Sequence, residues 1–239
     1  MDRISNLPDE ILCHIGSFLS AKEAAFTKDF VDGVLALPAS SRIRNFSIKW
    51  QYVHSGQYVH VNRCLCDVLK RGVLVLELKA HVKRGYSLPL EVFTCKTVEK
   101  LTLGSDFAID ILPNDALLPA LKSLFLDSIR FYDFGAFTTL LSASPLLEEL
   151  VMDGIEFERW KWSWTVSSPT LRRLTIRRQV WEGYADEPQE EIIRLDGRGL
   201  AYDFDSISFD LPGLTYLDYS DYVPKEYLIV NRGRICCMG

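Results

Sequence analysis

Several features are missing from this sequence, and each absence removes a class of function. Its 27 basic and 32 acidic side chains are scattered without a basic stripe, and a formal charge of -5 lacks the electrostatic footprint of a dedicated DNA or RNA binder. Nucleic acid is not an expected partner. No run approaches the roughly eighteen uninterrupted apolar residues of a membrane helix. Asp9, Glu10, Lys22 and Glu23 fall where a signal peptide would need an apolar stretch. No membrane association is expected, and the expected location is cytoplasmic and/or nuclear.

The six cysteines, Cys13, Cys64, Cys66, Cys95, Cys236 and Cys237, include no C-x-x-C pair and no histidine at metal-ligand spacing. They read as reduced packing residues, and neither a metal nor a cofactor is expected. His14, His54, His60 and His81 stand without a G-x-S-x-G elbow or a Gly-rich phosphate loop. No catalytic residue is assigned, and the chain is not expected to be an enzyme. His14 lies beside the apolar face of a first helix, as a solvated or partner-contacting histidine does. His54 and His60 flank a Tyr/Val-rich stretch that reads as a strand or hairpin.

What the sequence does have is apolar content and internal repetition. With 48% hydrophobic residues in 239, it can bury a core without staples, as one large domain or two small ones. Four segments share P-x-L-x-x-L-x-φ, where φ is apolar or aromatic: Pro119 with Leu121, Leu124 and Leu126; Pro145 with Leu147, Leu150 and Met152; Pro169 with Leu171, Leu174 and Ile176; Pro212 with Leu214, Leu217 and Tyr219. Copies without the proline keep Val98, Leu101 and Leu103, and Val73, Leu76 and Leu78, while Phe46 and Ile48 are a worn seventh.

Steps of 25, 23, 26 and 24 residues separate Leu76, Leu101, Leu124, Leu150 and Leu174, which is leucine-rich-repeat spacing. The next step, 43 residues to Leu217, is too long for one unit. Residues 178 to 208 are therefore expected to hold a degenerate repeat around Ile193 and Leu195, or an insertion.

In L-x-x-L-x-φ the last two apolar positions lie two apart on a short strand and point the same way, and a single unit cannot bury them alone. Units must stack. The predicted fold is α/β, a leucine-rich-repeat solenoid with a curved parallel sheet and outer helices. Phe134, Phe137, Leu140 and Leu141 predict a return helix over 133–142, stopped by Ser144-Pro145. Residues 107 to 118 read as a looser return.

The strand positions facing away from the core form the expected concave partner surface: Lys100, Thr102, Ser123, Phe125, Asp127, Glu149, Val151, Asp153, Arg173, Thr175, Arg177, Tyr216 and Asp218. Trp160, Trp162 and Trp164 alternate by two. They read as cover for a sheet edge or a loop, joined by Phe157, in preference to an aromatic recognition platform.

Residues 4 to 27 do not fit the repeat. Leu7-Pro8-Asp9-Glu10-Ile11-Leu12 opens a helix with proline in its first turn and two carboxylates near the positive end of the dipole. Ile11, Leu12, Ile15, Phe18 and Leu19 give it a broad apolar face. Ser20 with Glu23 is a capping box for a second helix.

The motif from Leu7 to Leu12, with Phe18-Leu19 and Lys22-Glu23-Ala24, resembles the start of a plant F-box. Together with the repeats, Ser208-Phe209-Asp210-Leu211-Pro212 and the stretch Tyr216 to Val223, nearly the whole chain is similar to plant F-box/leucine-rich-repeat proteins of the FBD-associated kind. The resemblance implies a non-catalytic substrate receptor. Its F-box would bind a Skp-type adaptor and through it a cullin ubiquitin ligase, with Leu7, Pro8, Ile11, Leu12 and Ile15 in the adaptor's groove and the repeats on an unidentified target protein.

Two departures qualify it. Lys28-Asp29-Phe30-Val31-Asp32 follows Thr27 directly, where the family continues into a third F-box helix, as an internal deletion or alternative splice would produce. Residues 232 to 239 also leave the family pattern, as a truncated end would. The expected organisation is a partial F-box over 1–27, a linker helix and first degenerate repeat over 28–72, leucine-rich repeats over 73–223 and a C-terminal tail over 224–239. The shortened F-box leaves a second reading open, a repeat module uncoupled from the ligase. A small-molecule sensor is a remote third, with no ligand indicated.

Overall fold

The computed structural model describes residues 43–53, 58–82, 86–104, 107–157, 163–177, 206–220, 226–229 and 236–237. The expected partial F-box, Trp160 and Trp162, and Ile193 and Leu195 lie outside them. Eight strands form one parallel sheet: β1 (Asn45–Val53), β2 (Val75–Val82), β3 (Lys100–Gly104), β5 (Ser123–Asp127), β7 (Glu149–Asp153), β10 (Arg173–Arg177), β12 (Tyr216–Ser220) and β14 (Cys236–Cys237), neighbouring in that order. Each neighbour is the next repeat along the chain. The worn copy at Phe46 and Ile48 is the first strand of the sheet, and the last strand falls within the segment 224–239.

The register follows from the leucines. Leu76, Leu101, Leu124, Leu150, Leu174 and Leu217 lie side by side, and so do Leu78, Leu103, Leu126, Met152, Ile176 and Tyr219. From Leu76 to Leu174 the first row has no exposed surface. The backbone joins the same stack one step earlier. The carbonyl of Arg44 accepts from the N–H groups of Leu74 and Val75, that of Leu74 from Glu99 and Lys100, and that of Glu99 from Lys122 and Ser123. Lys122, Glu148 and Arg172 repeat the pattern with Glu148 and Glu149, Arg172 and Arg173, and Thr215 and Tyr216. Thr97 and Thr170, at equivalent positions, donate through Oγ1 to the carbonyls of Val73 and Leu147, each at 2.8 Å.

The returns vary. Helix α1 (Tyr58–Lys70) buries Val61, Cys64, Leu65, Val68 and Leu69. Gly72, at φ 83°, takes up the left-handed conformation just past its end. Tyr58 and Val59, beside His60, therefore open a helix and not the expected strand or hairpin, because apolar positions three and four apart outweigh the local Tyr/Val alternation. Leu90–Phe93 is a short 3-10 turn.

The predicted return over 133–142 is α2 (Phe134–Ser142), capped by Asp133, whose Oδ1 accepts from the Ala136 N–H at 3.0 Å. The returns also carry strands: β4 (Ala108–Ile109), β6 (Arg130–Phe131) and β8 (Glu156–Phe157) make one small parallel sheet, and β9 (Ser163–Ser167), β11 (Ser206–Asp210) and β13 (Glu226–Ile229) another. Among the described residues, outer helices thus serve only part of the solenoid. Ser-Trp-Thr-Val-Ser and Ser-Ile-Ser-Phe-Asp alternate at period two with β-forming residues, which suits a second sheet.

Of the two expectations for residues 178 to 208, strand pairing favours the insertion. β12 pairs directly with β10 from Arg173↔Tyr216 to Arg177↔Ser220, and β11 pairs with β9. No main-sheet strand lies between them, so the 43-residue step is one long unit carrying an insertion, not a missed repeat around Ile193 and Leu195.

Two outcomes are expected. Replacing Leu124 by alanine should cost about 2–5 kcal/mol in urea unfolding, and the same change at neighbouring Phe125, on the opposite side of the strand, distinctly less. Tyr86 is buried, its hydroxyl donates to Asn62 Oδ1 at 2.7 Å, and its ring lies 4.5 Å from Tyr58. Burial pushes its phenol above the ordinary range, with the neighbouring Tyr58 and Cys66 adding to the rise. The unfolded chain therefore loses this proton first, and stability present below about pH 10 falls as pH rises above it. Tyr86→Phe should flatten that alkaline slope in pH-dependent unfolding.

Candidate functional site

The sheet's second face is a grid of side chains in register. Its first row is Val75, Lys100, Ser123, Glu149, Arg173 and Tyr216; its middle row Glu77, Thr102, Phe125, Val151, Thr175 and Asp218; its third Lys79, Gly104, Asp127, Asp153, Arg177 and Ser220. All eleven candidates from Lys100 to Arg177 stand on this face together. The alternation of the repeat puts them there, and in-register stacking aligns them.

The first row carries a continuous polar chain over four strands. Ser123 Oγ donates to Glu149 Oε2 at 3.3 Å, Arg173 Nε lies 3.5 Å from Glu149 Oε1, and the Arg173 guanidinium sits 4.6 Å from the centroid of the Tyr216 ring. Arg177 Nη2 donates to Asp218 Oδ2 at 2.7 Å. That bond, the Asp218 charge, and to a lesser degree Asp153, hold the Arg177 proton above the usual range. At the other end of the face Glu77 accepts from Ser47 Oγ at 2.8 Å and lies 3.5 Å from Lys49 Nζ and 3.8 Å from Lys79 Nζ.

The middle row is less exposed than its place on the expected partner surface suggests. Thr102, Val151 and Thr175 are buried, at 8%, 7% and 9% exposure. Strands about 4.8 Å apart let each larger side chain shade its smaller neighbour, so Phe125 between Thr102 and Val151 forms a half-buried apolar centre. In the third row, a Cβ at Gly104 would come within 3.0 Å of Lys79 Cγ and 3.5 Å of Asp127 Cβ. Glycine there leaves room for the Lys79 stem to lie across β3.

Ser47, Lys49, Glu77 and Lys79 extend the face beyond the residues singled out in the sequence. The signal was present, because the copy at Val73, Leu76 and Leu78 predicts outward positions at 75, 77 and 79. Leu7, Pro8, Ile11, Leu12 and Ile15 lie outside the described residues.

The face offers recognition chemistry. Among the described residues no group of three His, Cys, Asp or Glu is arranged to hold a metal ion, and no helix is long and apolar enough to cross a membrane. Burial, and then Glu91, push the Cys66 thiol up, opposite to what a nucleophilic cysteine requires.

Residues 61–196 match the family model described as FBD-associated F-box protein At5g56370, LRR repeats. The chain belongs to this leucine-rich-repeat family of plant FBD-associated F-box proteins. In Arabidopsis thaliana it is similar to F-box/LRR-repeat protein At3g62440, at 50% identity over 97% of the chain, and to putative F-box/LRR-repeat protein At5g15620, at 53% over 98%. F-box/LRR-repeat protein At3g58980 of the same plant is 48% identical over 97%. The matches cover 58%, 57% and 42% of those relatives, so the chain spans little more than half the length of the first two. The alignment to At3g62440 runs over 279 positions, 40 more than the 239 residues of the chain, so that relative carries internal residues this chain lacks. No solved structure matches significantly.

The open-face pairs are exposed, with Arg173 58% and Glu149 37% accessible. Replacing Glu149 by alanine is therefore expected to change the unfolding free energy by less than about 1 kcal/mol. A larger loss in urea unfolding would make the first-row chain a structural element in place of a recognition surface.

Proposed function

We propose that this chain is a non-catalytic substrate-recognition subunit of an SCF-type ubiquitin ligase, its amino-terminal segment binding a Skp-type adaptor and its open sheet face binding the target protein. The observation that carries this reading is the joining, in one chain, of the Leu7 to Leu12 F-box motif to a repeat sheet whose family and relatives are named F-box/LRR-repeat proteins. By resemblance, Leu7, Pro8, Ile11, Leu12 and Ile15 enter the adaptor's groove as an apolar helix face. The first-row chain and the Phe125 centre give the target side a polar frame around an apolar middle, the usual composition of a protein interface.

A second reading is favoured by one observation. The chain passes from Thr27 straight to Lys28-Asp29-Phe30, without the stretch that completes an F-box, and its alignment to a relative has internal positions with no counterpart here. In that reading the chain is a repeat module uncoupled from the ligase, competing with full-length relatives for the target.

A pull-down of a purified Skp-type adaptor by the full chain separates the two. Binding that is abolished by the double change Ile11→Glu and Ile15→Glu is the expected result. Binding that persists in the double variant would refute the groove assignment, and absence of binding by the unaltered chain would establish the uncoupled module.

A further inference from the structure

The third row of the open face has an ordered charge sequence. Across successive strands it reads Lys49, Lys79, Gly104, Asp127, Asp153 and Arg177, each paired in register with the next. At the in-register open-face positions, β1 to β3 carry three lysines and one glutamate, whereas β5, β7, β10 and β12 carry four carboxylates and two arginines. Both arginines are engaged within the second group, Arg177 with Asp218 and Arg173 with Glu149 and the Tyr216 ring, as Lys49 and Lys79 are with Glu77 within the first. One end of the face is net positive and the other net negative, and Phe125 lies beside the boundary.

Taking the open face as the target site, which rests on the function proposed above, we infer that it selects a polypeptide segment laid across the strands with an acidic and a basic side chain about four residues apart and an apolar side chain between them. The spacing comes from the sheet. From the midpoint of Lys49 and Lys79 to the midpoint of Asp127 and Asp153 is three strand separations, about 14 Å at roughly 4.8 Å each. An extended chain advances about 3.4 Å per residue and covers that in four. The target's acid faces the two lysines and its base the two aspartates. Its apolar side chain falls between those two pairs, beside the Phe125 ring. A segment of reversed charge order would turn end for end, so the face selects spacing and pattern, while a segment of one sign meets repulsion at one end.

The test is selection of phage-displayed random dodecapeptides on the full chain, at low salt and at about 0.15 M. The expected result is enrichment of an acid and a base about four positions apart around an apolar residue. A synthetic peptide of that pattern should bind the Asp127→Lys, Asp153→Lys double variant about tenfold or more weakly. Changing its basic residue to glutamate should restore binding to that variant, a gain that misfolding cannot produce. Enrichment without the pattern, no enrichment, or binding indifferent to the charge reversal would overturn the inference. A further variant separates the two levels: peptides lacking the pattern but lost on Phe125→Glu would leave the open face as the target site, and peptides that bind Phe125→Glu unchanged would remove that site as well. Neither outcome bears on adaptor binding through Ile11 and Ile15.

Discussion

Stacking in register is the constraint on which the rest of this structure depends. One L-x-x-L-x-φ unit presents two apolar side chains and a strand with two unpaired edges, and it can satisfy neither alone. The next unit satisfies both together: Leu101 covers Leu76 while the Leu74 carbonyl takes the N–H groups of Glu99 and Lys100. Apolar burial and backbone pairing therefore set the same register. A slip of one residue would turn the leucine rows outward and the charged rows into the core. The mixed charges of the open face are thus protection against misregistration as well as a surface.

That constraint is local to the strand and the turn before it, which explains why the returns differ so widely. Between Leu76 and Leu174 the units keep to 23 to 26 residues, yet one returns through a 3-10 turn, another through a short strand and a capped helix, and others through short strands. Any return suffices if it brings an apolar side to the leucine rows and delivers the chain one strand further along. Phe137 does this from α2, packing edge-on to Phe131 at 5.6 Å, and Phe209 does it from β11. The 43-residue unit obeys the same rule, because β9 to β10 and β11 to β12 superpose their two strands however long the chain between them.

The sheet and its open face were legible in the sequence because both rest on a short, strictly spaced pattern. Leu124 and Leu126 point one way and Ser123, Phe125 and Asp127 the other, whatever surrounds them. The capped helix after Asp133 was legible for the same reason, since cap and apolar spacing agree. What was not legible depended on distant chain. His60 sits in Tyr-Val-His-Val, which alternates like a strand over four residues. Only the longer series Val61, Cys64, Leu65, Val68 and Leu69 reveals the helix. The long unit read as a possible extra repeat because spacing alone cannot say which strand pairs with which. The burial of Thr102, Val151 and Thr175 depends on neighbours about 25 residues away, which no local pattern carries.

The two faces also differ in what a substitution costs. A leucine in the core rows carries several kcal/mol, because its loss leaves a cavity between two neighbouring units. An exposed pair such as Arg173 with Glu149 carries a small fraction of that, because solvent and salt screen it whether or not the pair is made. Charges on the open face are thus exchangeable at little cost to the fold, provided that each replacement keeps its backbone strand and leaves Thr102, Val151 and Thr175 covered. The middle row sets the limit of that freedom. Placing a charge at Val151 would set it between Phe125 and Thr175, at a position its neighbours already shade, with a desolvation cost that the outer rows do not carry. Substitution is therefore tolerated along the outer rows, where Lys79, Asp127, Asp153 and Arg173 stand, while the centre of the face remains tied to the stacking of the sheet beneath.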